Sequence, residues 1–122
     1  MNENKVEYDY DYNEDSLFIY CVNPYNYDVS LELDNNVILD IDTEGKPVAF
    51  EFLNASKVFG LSKTYFKKLV GMDIHLEITE EKISLKTELH VMIHNRNQSF
   101  DVARITTNLN NIPSIETELI TA

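Results

Sequence analysis

Residues 29–53 read VSLELDNNVILDIDTEGKPVAFEFL, and this stretch decides the fold. Val29, Leu31 and Leu33 alternate with Ser30 and Glu32. Asp34-Asn35-Asn36 then turns the chain into Val37, Leu39 and Ile41, which alternate with Asp40 and Asp42. A period of two puts one side of each strand on a core and the other in water. Thr43-Glu44-Gly45-Lys46 is a short hairpin loop in which Gly45 supplies the positive φ of a bulged turn. Val48 to Leu53 closes the series, with Glu51 its one charge.

The same pattern extends upstream. Val6, Tyr8, Tyr10 and Tyr12 share one strand face, with Glu7, Asp9 and Asp11 on the other. Asn13-Glu14-Asp15 makes a turn into Leu17–Val22, which is apolar on both faces, as a central strand should be. Asn23-Pro24-Tyr25-Asn26 breaks that run, since proline cannot donate to a ladder. Residues 6–53 therefore predict an antiparallel β-meander of about five strands.

Downstream the period changes. Asn54 is placed to cap a short helix through Val58, ended by Gly60. Ser62 is placed to cap a second helix over Lys63–Val70, stopped by Gly71, with Phe66, Leu69 and Val70 on its core-facing stripe and Lys63 and Lys67 on another face. Strand alternation then returns. Ile74, Leu76 and Ile78 lead through Thr79–Lys82 into Ile83–Ile93, Asn95–Gln98 turn the chain, and Phe100 and Val102 follow. The alternation slips near Arg104, where a bulge is the expected cause. Ile115–Ile120 adds a last edge strand. The fold class is α+β: the meander, one or two short helices, then a second antiparallel set of three to four strands.

The chain has 122 residues, enough for a single domain over residues 1–122, in which residues 6–58 form the meander and helix start and residues 59–122 the remainder. Residues 1–51 hold 13 acidic side chains against Lys5 and Lys46, a net of −11. Residues 52–122 balance 8 acidic against 8 basic groups. An anionic module repels phosphate backbones and attracts a basic partner or a cation, which excludes direct nucleic-acid binding through this half. The opening MNENKVEYDYDYNED has neither a basic segment nor an apolar stretch, which argues against a signal peptide. No apolar run reaches the ~18 residues of a membrane span, so a cytoplasmic location without membrane contact is expected. Cys21, the one cysteine, allows no internal disulfide and reads as a small hydrophobe.

Several residues carry a resemblance. Tyr8-Asp9, Asp15-x-Leu17-x-Ile19, Ile38-Leu39-Asp40, Asp42, Gly45, Val48 and the run Glu51-Phe52-Leu53-Asn54-Ala55-Ser56 resemble the domain-of-unknown-function 2283 family of small prokaryotic proteins. That run looks like the family's signature of a glutamate, two aliphatics, aspartate, alanine and serine. The likeness covers about residues 6–58. Ala49 stands where the family usually has glycine, and Asn54 replaces aspartate. The resemblance implies a meander followed by a helix and implies no activity.

Four candidate sites emerge. Asp40, Asp42 and Glu44, followed by Gly45 and Glu51, approximate a calcium loop, though flanking strands favour a hairpin over a calcium or magnesium site. The repeat of Asp9, Asp11, Asn13 and Asp15 reads as a solvated strand edge. Glu51, between Phe50 and Phe52, is the candidate functional carboxylate; the simpler reading has it accept backbone N–H groups near Ala55 and Ser56. Tyr8, Tyr10, Tyr12, Tyr25 and Tyr27 suit an interface, because tyrosine offers an apolar body and a polar tip. His90 and His94 share a strand face but lie ~13 Å apart, too far for one zinc ion. Pairing Ile78 with Ile83 places His75 opposite Lys86.

These features favour a non-enzymatic protein-interaction module whose acidic first half meets a basic protein partner, with an antitoxin-like form among the versions. The alternatives are a weak divalent-cation binder and an enzyme using Glu51 as acid or base. Self-association into a homo-oligomer is also open.

Overall fold

The computed structural model describes residues 3–121. Among these residues nine strands form one continuous sheet in the order β3-β4-β5-β2-β1-β9-β6-β7-β8. The first five are β1 (Glu3–Asp11), β2 (Ser16–Cys21), β3 (Tyr27–Asp34), β4 (Val37–Asp42) and β5 (Pro47–Phe52). The other four are β6 (Leu69–Ile78), β7 (Lys82–Ile93), β8 (Arg96–Thr107) and β9 (Ile115–Thr121). Each set is antiparallel within itself, and the two are joined where β1 runs parallel to β9. The α+β expectation holds in its coarse form, with very little helix.

The meander itself needs correction. β2 pairs with β5 rather than β3, so β2 to β5 form a Greek key in the spatial order 3-4-5-2. The cause is local: Val22–Asn26, interrupted by Pro24, is too long and irregular for a tight hairpin. It releases β3 from β2, and β5 fills the vacated edge. β9 is likewise not an edge strand. It sits centrally between β1 and β6, with Thr117 and Leu119 buried.

One buried cluster spans both halves, from Leu17, Ile19, Leu39 and Phe50 to Ile74, Leu76, Leu85 and Leu89. The two outermost strands, β3 and β8, approach each other, and Arg104 of β8 pairs with Asp34 at the end of β3. This explains the slip in the β8 alternation. The ladder between β7 and β8 runs without a register shift, so there is no bulge. Arg104 simply occupies an inward-facing position opposite Leu85, where it reaches the carboxylate across the opening. Ile105, by contrast, faces outward.

Helix α1 (Ala55–Phe59) and a 3-10 helix (Lys63–Lys68) cover one end of the core. Phe59 meets Phe52 at 5.1 Å and Phe66 at 6.1 Å, and Phe66 stacks on Tyr10 at 4.7 Å. Gly60 ends α1 at φ 65° and donates its N–H to the Ser56 carbonyl, the left-handed cap that glycine favours. The second helical segment stops earlier than the sequence predicts. Leu69 already begins β6, Val70 is 57% exposed rather than core-facing, and Gly71 lies in the strand after a register shift. The turn after β7 is also displaced: His94 and Asn95, with φ of 51° and 62°, form a two-residue hairpin turn, and Arg96–Gln98 belong to β8.

Candidate functional site

Strand pairing assembles the site. Across the outward face of the five-stranded half, one row reads Asp9, Phe18, Glu51, Ile38 and Glu32. The next reads Glu7, Tyr20, Ala49, Asp40 and Ser30. A short third row places Asp11 opposite Ser16. Because side chains alternate along a strand, all of these point away from the core. The face thus brings Glu7, Asp9, Asp11, Glu32, Asp40 and Glu51 around a central aromatic pair. Phe18 and Tyr20 stack with ring centres 5.4 Å apart.

The carboxylates lack close cationic partners, although Lys5 stands on the same outward face of β1, two residues from Glu7. Among the described residues no Lys or Arg forms an ion pair with any of the six; the ion pairs join Lys46 to Glu44, Arg104 to Asp34, and His75 and His90 to their neighbours. Lys63 and Lys67 instead lie over the Tyr12 ring, at 4.5 and 5.7 Å, beyond the end of β1. Desolvation first, and then the charges of Asp9 and Glu7, push the Tyr20 phenol above its ordinary value. Tyr27 and Ser30 share a 2.7 Å hydrogen bond, and Ser30 donates to Asp40 at 2.7 Å, extending the polar network along the face.

Glu51 lies half-buried within this face. It accepts the Ser16 hydroxyl at 3.0 Å and borders an open depression of about 400 Å³ that Asp9, Asp11, Glu14 and Phe18 also line. It does not cap α1, contrary to the sequence reading. Asp15 does: its carboxylate accepts the Ser56 N–H at 3.0 Å, the Ser56 hydroxyl at 2.6 Å and the Tyr10 hydroxyl at 2.6 Å. Burial alone would raise the Asp15 carboxyl, but these donors and nearby Lys63 hold it below its ordinary value. Asn54 makes no side-chain cap and spends its amide on Asn36. Glu51, facing the other side of the sheet, remains free to meet solvent.

The tyrosines divide. Tyr8 and Tyr10 are turned inward against the core, so they leave the exposed set that the sequence grouped together. Tyr12 is exposed beneath the lysines. Tyr25 is half-buried, and desolvation with the nearby Asp40 charge raises its phenol, which puts it at the border of the acidic face. Tyr27 is 56% exposed at the start of β3. Phe18 and Tyr20 were missed because Leu17–Val22 reads as apolar on both sides. The signal that finds them is the pairing of β2 with β1, whose outward residues are all charged.

Asp40, Asp42 and Glu44 do not converge. Asp42 Oδ1 accepts the backbone N–H groups of Glu44 and Lys46 at 2.9 and 2.8 Å, which makes it the turn's own acceptor. Asp40 bonds Ser30, and Glu44 pairs with Lys46 at 3.6 Å. His75 lies opposite Lys86, as the register reading requires.

A model of the family described as "protein of unknown function (DUF2283)" matches residues 7–56. The chain belongs to this family. It is 35% identical over 107 residues to a Methanosarcina mazei protein provisionally named a hypoxanthine phosphoribosyltransferase, covering 88% of this chain and 84% of that one. It is 35% identical over 89 residues to an uncharacterised protein of Methanocaldococcus jannaschii, covering 72% of this chain and 75% of that one. No solved structure matches the chain. The family match spans β1 to the start of α1, the segment that carries the acidic aromatic face. No helix among the described residues is long and apolar enough to cross a membrane.

Proposed function

We infer that this protein is an interaction module whose outward β1–β5 face binds a basic segment of a protein partner. The observation that carries this reading is the Phe18–Tyr20 stack centred among six carboxylates with which no described lysine or arginine forms an ion pair. A guanidinium suits such a surface, because it stacks on aromatic faces while its N–H fork engages carboxylates. Ile38, partly exposed, adds apolar area between the charges, so a partner could bury surface as well as pair ions. Masking a basic surface in this way is what an antitoxin-like protein would do. The same charge opposes self-association through this face, since two copies would set like fields against each other.

The name of the Methanosarcina relative suggests a different reading, transfer of a phosphoribosyl group. A diphosphate substrate calls for cations and clustered N–H donors. The depression beside Glu51 offers four carboxylates instead, Asp9, Asp11, Glu14 and Glu51. Electrostatics therefore favours a cationic ligand over a phosphorylated one. The β1–β5 face also supports the reading better than a calcium or magnesium site at Asp40–Gly45, whose carboxylates serve the hairpin.

The test compares immobilised wild-type protein with Phe18→Ser/Tyr20→Ser and Asp9→Asn/Glu51→Gln variants in cell extract. The expected result is a basic protein held by wild type at low salt, released as ionic strength screens the face, and lost by both variants. Retention that is indifferent to both variants contradicts the reading.

A further inference from the structure

We propose that Asp73, Glu88 and His90, on the opposite half of the sheet from the acidic aromatic face, form a three-ligand site for a divalent transition-metal ion, with zinc the best match. Register brings them together. Asp73 of β6 stands directly opposite Glu88 of β7, and His90 follows two residues later on the same outward face. The residue opposite His90 is Gly71, which offers no side chain, so the imidazole leans toward Asp73 unobstructed.

The geometry suits coordination. His90 Nε2 lies 2.9 Å from Asp73 Oδ2 and 3.4 Å from Glu88 Oε1. One ligand atom from each of the three residues falls within 4.8 Å of the others. A tetrahedral zinc ion held at 2.0–2.2 Å sets its ligands about 3.4 Å apart, so small side-chain rotations close the set. His90 Nδ1 lies 3.1 Å from the Ser99 hydroxyl of β8. With Nδ1 protonated and donating to Ser99, Nε2 presents its lone pair to the ion, the orienting arrangement that metal-binding histidines use. This partner comes from a third strand and fixes the ring independently of the two carboxylates.

Charge and access agree. Two carboxylates and a neutral imidazole neutralise a divalent ion, and Asp101, opposite Glu88 on β8, deepens the negative potential. The imidazole nitrogen selects against calcium and magnesium, which take oxygen ligands. Asp73 and Glu88 also border an open depression of about 180 Å³ that His75, Lys86 and Glu118 share. Three protein ligands leave a coordination position for water or an external donor on that side.

The test is titration of chelator-treated protein with zinc, followed by calorimetry and by histidine side-chain nitrogen shifts. The proposal expects saturable binding of one ion per chain, with the His90 Nε2 resonance moving and those of His75 and His94 unchanged. His90→Ala and Asp73→Asn should each weaken binding at least about tenfold. His75→Ala should leave it unaltered. Because all these positions lie on the outward face, both ligand variants should fold. Binding that fails to saturate, that His90→Ala and Asp73→Asn leave intact, or that calcium or magnesium matches in strength overturns the proposal.

Discussion

The Asp15 carboxylate, in the turn between β1 and β2, accepts both the hydroxyl and the N–H of Ser56 at the start of α1, 41 residues away. This contact, with the Tyr10 hydroxyl on the same carboxylate, fastens the first hairpin to the helical cover of the core. The Asp15 carbonyl adds a further bond from the Ala55 N–H at 2.9 Å.

Replacing Asp15 by Ala should therefore cost about 1–3 kcal/mol, because three part-buried donors lose their acceptor at once. Denaturant unfolding checks this. Asp15→Ala should lower the midpoint, whereas Glu51→Gln should leave it nearly unchanged. Equal effects would reverse the roles assigned to the two carboxylates.

Acid stability follows from the same group. The ordinary value for both Asp15 and Asp34 is 3.8, and in the folded chain both are lowered. At Asp34 burial opposes the shift, and the Asn36 N–H and Arg104 produce it. A lowered folded value means that the stabilisation is fully present above the unfolded value and disappears as pH falls through the folded one. Stability should thus hold above about pH 5 and decline below about pH 4. An Asp15→Asn/Asp34→Asn variant should be less stable at neutral pH and show a shallower acid decline. An unchanged slope between pH ~5 and ~2 would count against both assignments.

Thr87 predicts a gain. Its side chain is fully buried between Ile74 and Val102, and its hydroxyl finds no hydrogen-bond partner among the described residues. Thr87→Val keeps the shape and removes the unsatisfied polar atom, so it should raise stability by about 1 kcal/mol. Thermal unfolding of the single variant decides the sign.

Arg104 tests the closure of the sheet. Arg104→Leu should remove the tie to Asp34 and leave that carboxylate beside an apolar side chain, costing roughly 0.5–2 kcal/mol. Amide exchange in β3 and β8 should accelerate more than in β2 or β9. Uniform protection across the sheet would mean that Arg104 does not hold these edges together.

The strands were legible in the sequence because each alternates, and alternation is a local property. Residues 29–53 gave β3, β4 and β5 almost to the residue. Their neighbours were not legible. Nothing in Leu17–Val22 says whether β5 or β3 will take its free edge, and nothing in Ile115–Ile120 says that two half-sheets will meet on it. Those choices follow from the total burial of the assembled core. Helical boundaries failed where period and packing disagreed: Lys63–Val70 has a helical stripe, but Leu69 is drawn into pairing with Val91 of β7 and Val70 falls at the register shift that follows. Both candidate sites depend on cross-strand register. Hence Phe18 and Tyr20 escaped notice, as did the partners of His90, which the sequence compared with His94 along its own strand.

The most direct measurement is an amide chemical-shift titration of this protein with a short arginine-rich peptide, at low and at high ionic strength. Shifts should be confined to Glu7, Asp9, Phe18, Tyr20, Ile38 and Glu51 and their strand neighbours, vanish with added salt and be absent in the Phe18→Ser/Tyr20→Ser variant. Shifts spread evenly over the molecule, or centred on β6 and β7, would contradict binding at the outward β1–β5 face.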